Sequence, residues 1–266
     1  MLMMLVLKHK EVSVSGVDKE TQDIIQRILS KFVDGKCSRC GKKIKYILDG
    51  SQPVCEDCKK KEEEQKRRLA RIDYIIPLGY REMSFESFDL KNRNVKNLDK
   101  AFAAAQRFVI DNAGVYLWGC AGQGKTHLLI AALRECILQG KYVKLLRYST
   151  ELKNYKEQGL RKEDFFKEYS TCDYLFIDDF GSVGTKDDAI DILYGILQRR
   201  IENKKGKKIF ITANMPIAQI GDDRVKSRIV GMCIDYKCHD SSDTDTEKYS
   251  NIIELQGDDI RLTGRI

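Results

Sequence analysis

The chain has 266 residues, 42% of them hydrophobic and 33% charged, and a formal net charge of +7. That composition suits a soluble globular protein with one large domain, or a domain with an appendage, and the charge is too modest to specify a nucleic-acid partner unaided. The opening Met1–Leu7 run is apolar for only seven residues, and charge follows it rather than precedes it, which excludes a spanning helix and argues against a secretory leader. Nine cysteines, an odd number, suit a reducing compartment in which cysteine binds metal or fills core, so the expected location is cytoplasmic with no membrane partner.

Cys37, Cys40, Cys55 and Cys58 form C-x2-C-x14-C-x2-C. Each pair makes a tight knuckle that turns two thiolates toward one ion. Four thiolates close a tetrahedral zinc shell and leave no position for a catalytic water. Gly41 follows the first pair, where a knuckle often needs glycine. So short a segment buries too little apolar area to fold alone, and zinc would supply its folding energy, roughly 10 kcal/mol or more in small zinc modules. From Lys59 to Ile76 there is no Gly or Pro, and Glu62, Glu63 and Glu64 precede Lys66, Arg67 and Arg68 by four residues each. That spacing predicts a solvated connector helix, ended by Pro77. The expected division is an N-terminal zinc module over 1–58, with knuckles at 37–58, a charged helical linker over 59–78, and a nucleotide-binding domain over 79–266.

An α/β rhythm follows. Val115–Trp118 predicts a strand, GCAGQGKT from Gly119 to Thr126 a phosphate loop, and Leu128–Leu133 the helix after it, which is the context that identifies a P-loop. Gly119, Cys120, Ala121, Gly122, Gln123, Gly124, Lys125, Thr126 and His127 are the candidate nucleotide-binding residues. Backbone N–H groups from Gly122 to Lys125 face the phosphates, helped by the positive end of the helix. Lys125 reaches the β- and γ-phosphates, and Thr126 offers its hydroxyl to Mg²⁺.

Tyr174–Ile177 predicts a second buried strand, and Asp178 and Asp179 emerge at its end in a Walker B arrangement. Asp178 is placed to hold Mg²⁺ through water, and Asp179 to orient or deprotonate the attacking water. Asp179 is one methylene shorter than the glutamate common at this position, so slow hydrolysis is expected. Residues 199–208 carry six positive charges against one acid, enough to neutralise several phosphates of single-stranded DNA. Tyr155, Phe165, Phe166 and Tyr169 offer rings for base stacking, but the charges around them balance, which makes the basic stretch the stronger candidate. Lys208–Ala213 predicts a third strand that delivers Asn214, suited to bridging the attacking water and the γ-phosphate, or else to capping a helix. Arg224 and Arg228 are four apart and share a helical face. They serve either in salt bridges to Asp222 and other local acids, or with Arg228 as a finger in a neighbouring subunit's ATP site and Arg224 as its support. No Asn-Lys-x-Asp or Leu-Ser-Gly-Gly signature is present, so GTPase and transporter readings recede.

Met83-Ser-Phe85-Glu-Ser-Phe88-Asp, GCAGQGKTHL, LFIDDFG, LQRRIEN, ITAN and RVKSRI together resemble the AAA+ family. More narrowly they resemble the bacterial replicative-helicase loaders of the DnaC/DnaI type and their relatives, the IstB-like transposition helpers, from about Tyr80 to the C-terminus. The resemblance implies a P-loop AAA+ parallel sheet flanked by helices, with a reduced or absent lid because only 52 residues follow Asn214. It places Phe85 and Phe88 beside adenine or in the core, Arg200 near a subunit boundary or a DNA-facing surface, and Gly257 and Arg261 in a closing pattern near phosphate. Residues 233–251 depart from the family pattern and read as a surface loop, with Cys233, Cys238 and His239 too few for a full second metal site. The function implied is a slow Mg²⁺-dependent ATPase that binds a DnaB-type replicative helicase through its zinc module, places it on single-stranded DNA and forms an ATP-dependent homo-oligomer. An IstB-like transposition helper and a DNA-binding adaptor that uses ATP only as a switch are the alternatives.

Overall fold

The computed structural model describes residues 18–47, 51–90, 95–110, 113–148, 150–151, 161–181, 187–205, 208–233, 251–257 and 259. The expectations for Met1–Leu7, Tyr155, Lys207, Cys238, His239 and Arg261 fall outside them. The chain divides between Lys66 and Arg67 into two compact units.

In the first unit, helix α1 (Lys19–Leu29) is capped by Asp18, whose Oδ1 accepts the Thr21 N–H at 2.9 Å. Strands β1 (Phe32–Lys36) and β2 (Lys43–Ile47) pair antiparallel, with Lys36 opposite Lys43, so the first cysteine knuckle is the turn of this ribbon. Helix α2 (Glu56–Ile75) starts three residues before the expected Lys59, because Glu56 and Asp57 favour the positive end of a helix. Lys66 and Glu62 form the anticipated pair at 3.3 Å.

The second unit is built on a six-stranded sheet in the order β3-β8-β4-β7-β6-β5. Its strands are β3 (Val95–Lys96), β4 (Val115–Gly119), β5 (Val143–Arg147), β6 (Tyr174–Phe180), β7 (Ile209–Ala213) and β8 (Ile252–Gly257), all parallel except β3. Alternate side chains serve opposite faces. Val115, Leu117, Phe176 and Phe210 pack with the end of α2, with α3 (Leu98–Ile110) and with α4 (Lys125–Leu138). Tyr116, Leu175, Ile177, Ile209 and Ile211 pack with α5 (Lys162–Ser170), α6 (Asp187–Glu202) and α7 (Asp223–Cys233). Phe108 anchors the first layer, edge-on to Tyr174, Phe176 and Phe210 at 5.3–5.6 Å. Among the described residues, a 3-10 turn at Ile217–Gln219, α7 and β8 follow Asn214.

Three expectations need correction. The second half of α2 is docked rather than solvated: Ile72 and Ile76 are buried, and Arg68 and Arg71 donate to the carbonyls of Leu138 and Lys141 at 2.6 and 3.1 Å, where α4 ends and its carbonyls need donors. Arg200 faces neither a boundary nor DNA. It is 0% exposed, and its guanidinium donates to the carbonyls of Tyr169, Cys172, Asp173, Lys205 and Lys208 at 2.9–3.3 Å, stitching the end of α5 to the starts of β6 and β7. Phe165 and Tyr169 are core residues, and Phe166 lies against that core under the Arg199 guanidinium at 4.8 Å, so these rings are packed rather than presented for stacking.

Candidate nucleotide site and cysteine cluster

Because β7 lies between β4 and β6, the phosphate loop, Asp178–Asp179 and Asn214 all leave the C-terminal ends of neighbouring parallel strands. Ligands of open α/β sheets collect at such an edge. The loop enters α4 through Gly124 at φ 86°, and the Phe88 ring stands 2.9 Å from where a Cβ would be, so only glycine fits there. Lys125 is 6% exposed and its Nζ donates to the carbonyls of Gly119 and Cys120 at 2.9 and 2.6 Å, curled inside the loop. Cys120 and Ala121 lie exposed at the rim. Gln123 is buried and donates to the Gly257 carbonyl at 2.6 Å, which ties the loop to the end of β8. At Gly122, also at positive φ, a side chain would run into the Asp259 carboxylate.

The Thr126 hydroxyl donates to Asp178 Oδ1 at 3.0 Å. The same oxygen receives the Thr212 hydroxyl at 2.6 Å, and Thr212 Oγ1 in turn accepts the Asp179 N–H at 3.0 Å. Asp178 is 7% exposed, and burial pushes its carboxyl above the usual carboxylate range while the Thr212 and Thr126 hydroxyls pull it back. A one-residue bulge falls between Ile177 and Phe180, Asp179 takes φ 62°, and its exposed side chain accepts from Asn214 Nδ2 at 3.3 Å. Tyr116 donates to the Met215 carbonyl at 2.9 Å and holds the segment after Asn214. The structure therefore brings Thr126, Asp178, Asp179 and Asn214 into one set linked through Thr212, with the Lys125 charge close enough to act on Asp178. Thr212 was missed by the sequence reading; the signal was a lone hydroxyl in an otherwise apolar, fully buried strand.

His127 continues the loop onto α4. Its Nε2 lies 2.9 Å from the Ser84 carbonyl and 3.3 Å from the Ser87 hydroxyl, and burial pushes its pKa down, which favours the neutral ring. Phe88 meets His127 edge-on at 5.0 Å and stacks on Phe102 at 5.7 Å, so the Phe85–Phe88 segment is both packed on the core and set beside the loop.

Arg224 and Arg228 share a second location, on α7 against α6. Arg224 pairs with Asp222 at 2.6 Å and Asp191 at 3.4 Å, as the salt-bridge reading anticipated. Arg228 donates to Gln198 at 2.6 Å and Tyr194 at 3.0 Å, and both guanidiniums lie over the Tyr194 ring at 4.6 and 4.3 Å. The basic stretch is largely engaged within the fold: Arg199 pairs with Glu163 at 2.8 Å, Lys205 with Asp173 at 3.0 Å, and Lys208 covers Tyr174 at 5.1 Å, while Lys204 stays exposed.

In the first unit the sulfurs of Cys37, Cys40, Cys55 and Cys58 all lie within 4.8 Å of one another, and Cys40 and Cys55 are 3.7 Å apart. A tetrahedral shell with zinc–sulfur bonds of about 2.3 Å needs sulfurs about 3.8 Å apart, so the set fits the ion. The N–H groups of Cys55 and Arg39 point at the Cys37 sulfur at 3.3 and 3.4 Å. The Cys55 N–H is the main reason the Cys37 thiol is held to about 6, and hydrogen bonds with Cys55 and Cys40 are the main reason the Cys58 thiol is pushed up to about 12. Cys233 is fully buried in the core of the second unit, which removes it from any further metal site.

Residues 55–251 match the family described as IstB-like ATP binding protein. The chain belongs to that family. This IstB-like protein is 27% identical over 242 residues to the chromosomal replication initiator protein DnaA of Campylobacter concisus, an alignment covering 84% of this chain and 52% of that one. It thus spans about half the length of the DnaA relatives it matches. It is also 27% identical over 220 residues to protein XkdC of the phage-like element PBSX of Bacillus subtilis, covering 75% of this chain and 80% of XkdC. The crystal structure of DnaI superposes with a TM-score of 0.53 at 21% identity, covering 71% of this chain and 98% of that one, so the IstB-like protein shares its P-loop AAA+ fold. Among the described residues, no helix is long and apolar enough to cross a membrane.

Proposed function

We propose that this IstB-like protein is an ATP-gated loader that holds a hexameric DnaB-type replicative helicase through its zinc module and helps place it on single-stranded DNA. The observation that carries the ATPase part is the chain of contacts from Thr126 through Asp178 to Thr212, Asp179 and Asn214. Lys125 exchanges its two loop carbonyls for the β- and γ-phosphate oxygens, and Thr126 and Asp178 hold Mg²⁺. The ion's chemistry is to neutralise charge on those oxygens. Asp179 and Asn214 position the attacking water. Arg228, braced by Gln198 and Tyr194, is the finger that enters a neighbouring subunit's site in an ATP-dependent homo-oligomer, with Arg224 as its support. The zinc module over residues 1–58 holds the client, and the linker over 59–78, docked from Arg68 onward, joins it to the ATPase domain over 79–266 that assembles. The likeness to DnaI over nearly the whole of that chain supports the loader reading. The family match equally supports a transposition helper, whose client would be a transposase.

Native mass spectrometry of the protein with the replicative helicase of its own host, with and without ATP and Mg²⁺, tests the proposal. A complex whose stoichiometry changes with nucleotide, and does not change in Lys125→Ala, is expected. Absence of any complex in both conditions overturns the loader in favour of a transposase client or a DNA-bound adaptor.

A further inference from the structure

The geometry points to Thr212 as a positioning residue that locks the Asp178 carboxylate and the Asp179 main chain with a single hydroxyl, an inference that rests on the Mg²⁺ and water-positioning roles proposed above for Asp178 and Asp179. Thr212 is 1% exposed on β7, the strand inserted between the phosphate-loop strand and the Walker B strand. A hydroxyl has one proton to give. Its oxygen already accepts the Asp179 N–H at 3.0 Å, so its proton goes to Asp178 Oδ1 at 2.6 Å, a short, charge-assisted contact. One atom therefore faces in two directions. Through its proton it fixes the Asp178 carboxylate, with Thr126 on the same oxygen. Through its lone pair it holds the Asp179 peptide at φ 62°, a left-handed conformation that is uncommon outside glycine and that aspartate keeps more readily when its surroundings support it.

Flanking contacts agree with this assignment. The bulge between Ile177 and Phe180 removes Asp179 from the regular ladder with β7, so its N–H needs an acceptor from elsewhere, and Thr212 Oγ1 supplies one. Asn214 stands two residues beyond Thr212, directly after the end of β7, and reaches Asp179 Oδ1 at 3.3 Å. Main chain and side chain of Asp179 are thus both referred to β7 and the residue that ends it, so the two candidate water-positioning groups are held in one register across β6 and β7.

Three full-length proteins test the assignment: wild type, Thr212→Val, which keeps the shape but has no oxygen, and Thr212→Ser, which keeps the hydroxyl. Hydrogen exchange at the Asp179 amide is read by NMR without nucleotide, and the Mg²⁺ concentration that half-saturates ATP tightening is read by titration. In Thr212→Val the Asp179 amide exchanges at least about tenfold faster and the Mg²⁺ half-point rises about 10–100-fold, with Mg²⁺-free ATP binding within about twofold of wild type. Thr212→Ser restores both. Unchanged Asp179 exchange in Thr212→Val, or a Thr212→Ser protein that behaves like Thr212→Val, overturns the assignment. Faster Asp179 exchange in Thr212→Val, beside a wild type whose ATP binding ignores Mg²⁺, upholds the lock and overturns the metal roles of Thr126 and Asp178 instead.

Discussion

Replacing Arg200 by methionine separates a structural arginine from a surface one. The side chain is fully buried and donates to five main-chain carbonyls. Three of those keep a second donor: Tyr169 receives the Cys172 thiol, Lys208 the Leu175 N–H and Lys205 the Lys208 N–H. The loss therefore falls on the carbonyls of Cys172 and Asp173, each of which costs about 1–3 kcal/mol when left buried without a partner. Methionine roughly fills the volume and ends the burial of a charge, which offsets part of that loss and leaves a destabilisation of about 2–4 kcal/mol. For a unit of this size the melting temperature should fall by about 4–16 °C. Trp118, the single tryptophan, lies at the end of β4 against the core and reports the transition by fluorescence. A fall of less than about 2 °C, together with weakened DNA binding or assembly, would return Arg200 to the surface and refute the carbonyl cage.

Asp178 pushed upward by burial means that the folded state holds its proton more tightly than the unfolded chain, so this carboxylate lowers stability above the unfolded value near 3.8, and the penalty disappears below it. Asp178→Asn should therefore melt higher than wild type at pH 7, and thermal scans should show the gap closing as pH falls through the ordinary carboxylate range. Freshly purified protein should contain one zinc per chain, and chelation should unfold the β1–β2 ribbon by NMR while Trp118 fluorescence stays unchanged. Because the Cys58 thiol, pushed up to about 12, must lose its proton to bind, zinc affinity measured by competition should rise with pH through the neutral range. Asp259 sets an acid against Gly122 of the phosphate loop. At about 6 Å from a phosphate in a water-like dielectric, one charge costs about 0.7 kcal/mol, so Asp259→Asn should tighten ATP binding about threefold in low-salt titrations and less at high salt.

The phosphate loop, the Walker B strand and the cysteine knuckles were legible because their chemistry is local: glycine spacing, an apolar run ending in two acids, and paired thiols each lie within a few residues. The strands themselves were equally legible as short apolar runs, and in the structure their alternate residues divide between the two layers of the core. What the sequence concealed depends on contacts distant along the chain. Arg200 in LQRRIEN reads as a cation at a subunit boundary or a DNA-facing surface, and only the convergence of carbonyls from around Tyr169 and Lys208 buries it. Arg68 and Arg71 look like members of a charged connector until the end of α4, some 70 residues on, supplies their acceptors. Thr212 looks like an ordinary β-branched strand residue, and its role exists only because a bulge on β6 turns an N–H toward it.

Asp179 joins these two kinds of information. Its motif was visible, but its geometry gives the shorter acid a physical reason. Aspartate tolerates the left-handed region better than most residues, because its short polar side chain can bond locally. At φ 62° the carboxylate leans onto Asn214 at 3.3 Å, so the two groups proposed to position the water hold each other. For either group to reach a water at the γ-phosphate, that mutual contact has to be exchanged. A glutamate would reach farther but fit the left-handed turn less well, so the aspartate gains a defined resting geometry and gives up reach. An ATPase built this way would be slow alone and would accelerate when a neighbour's arginine or a client shifts β7 against β6, which is the behaviour a loader needs if ATP is to persist until its client is in place.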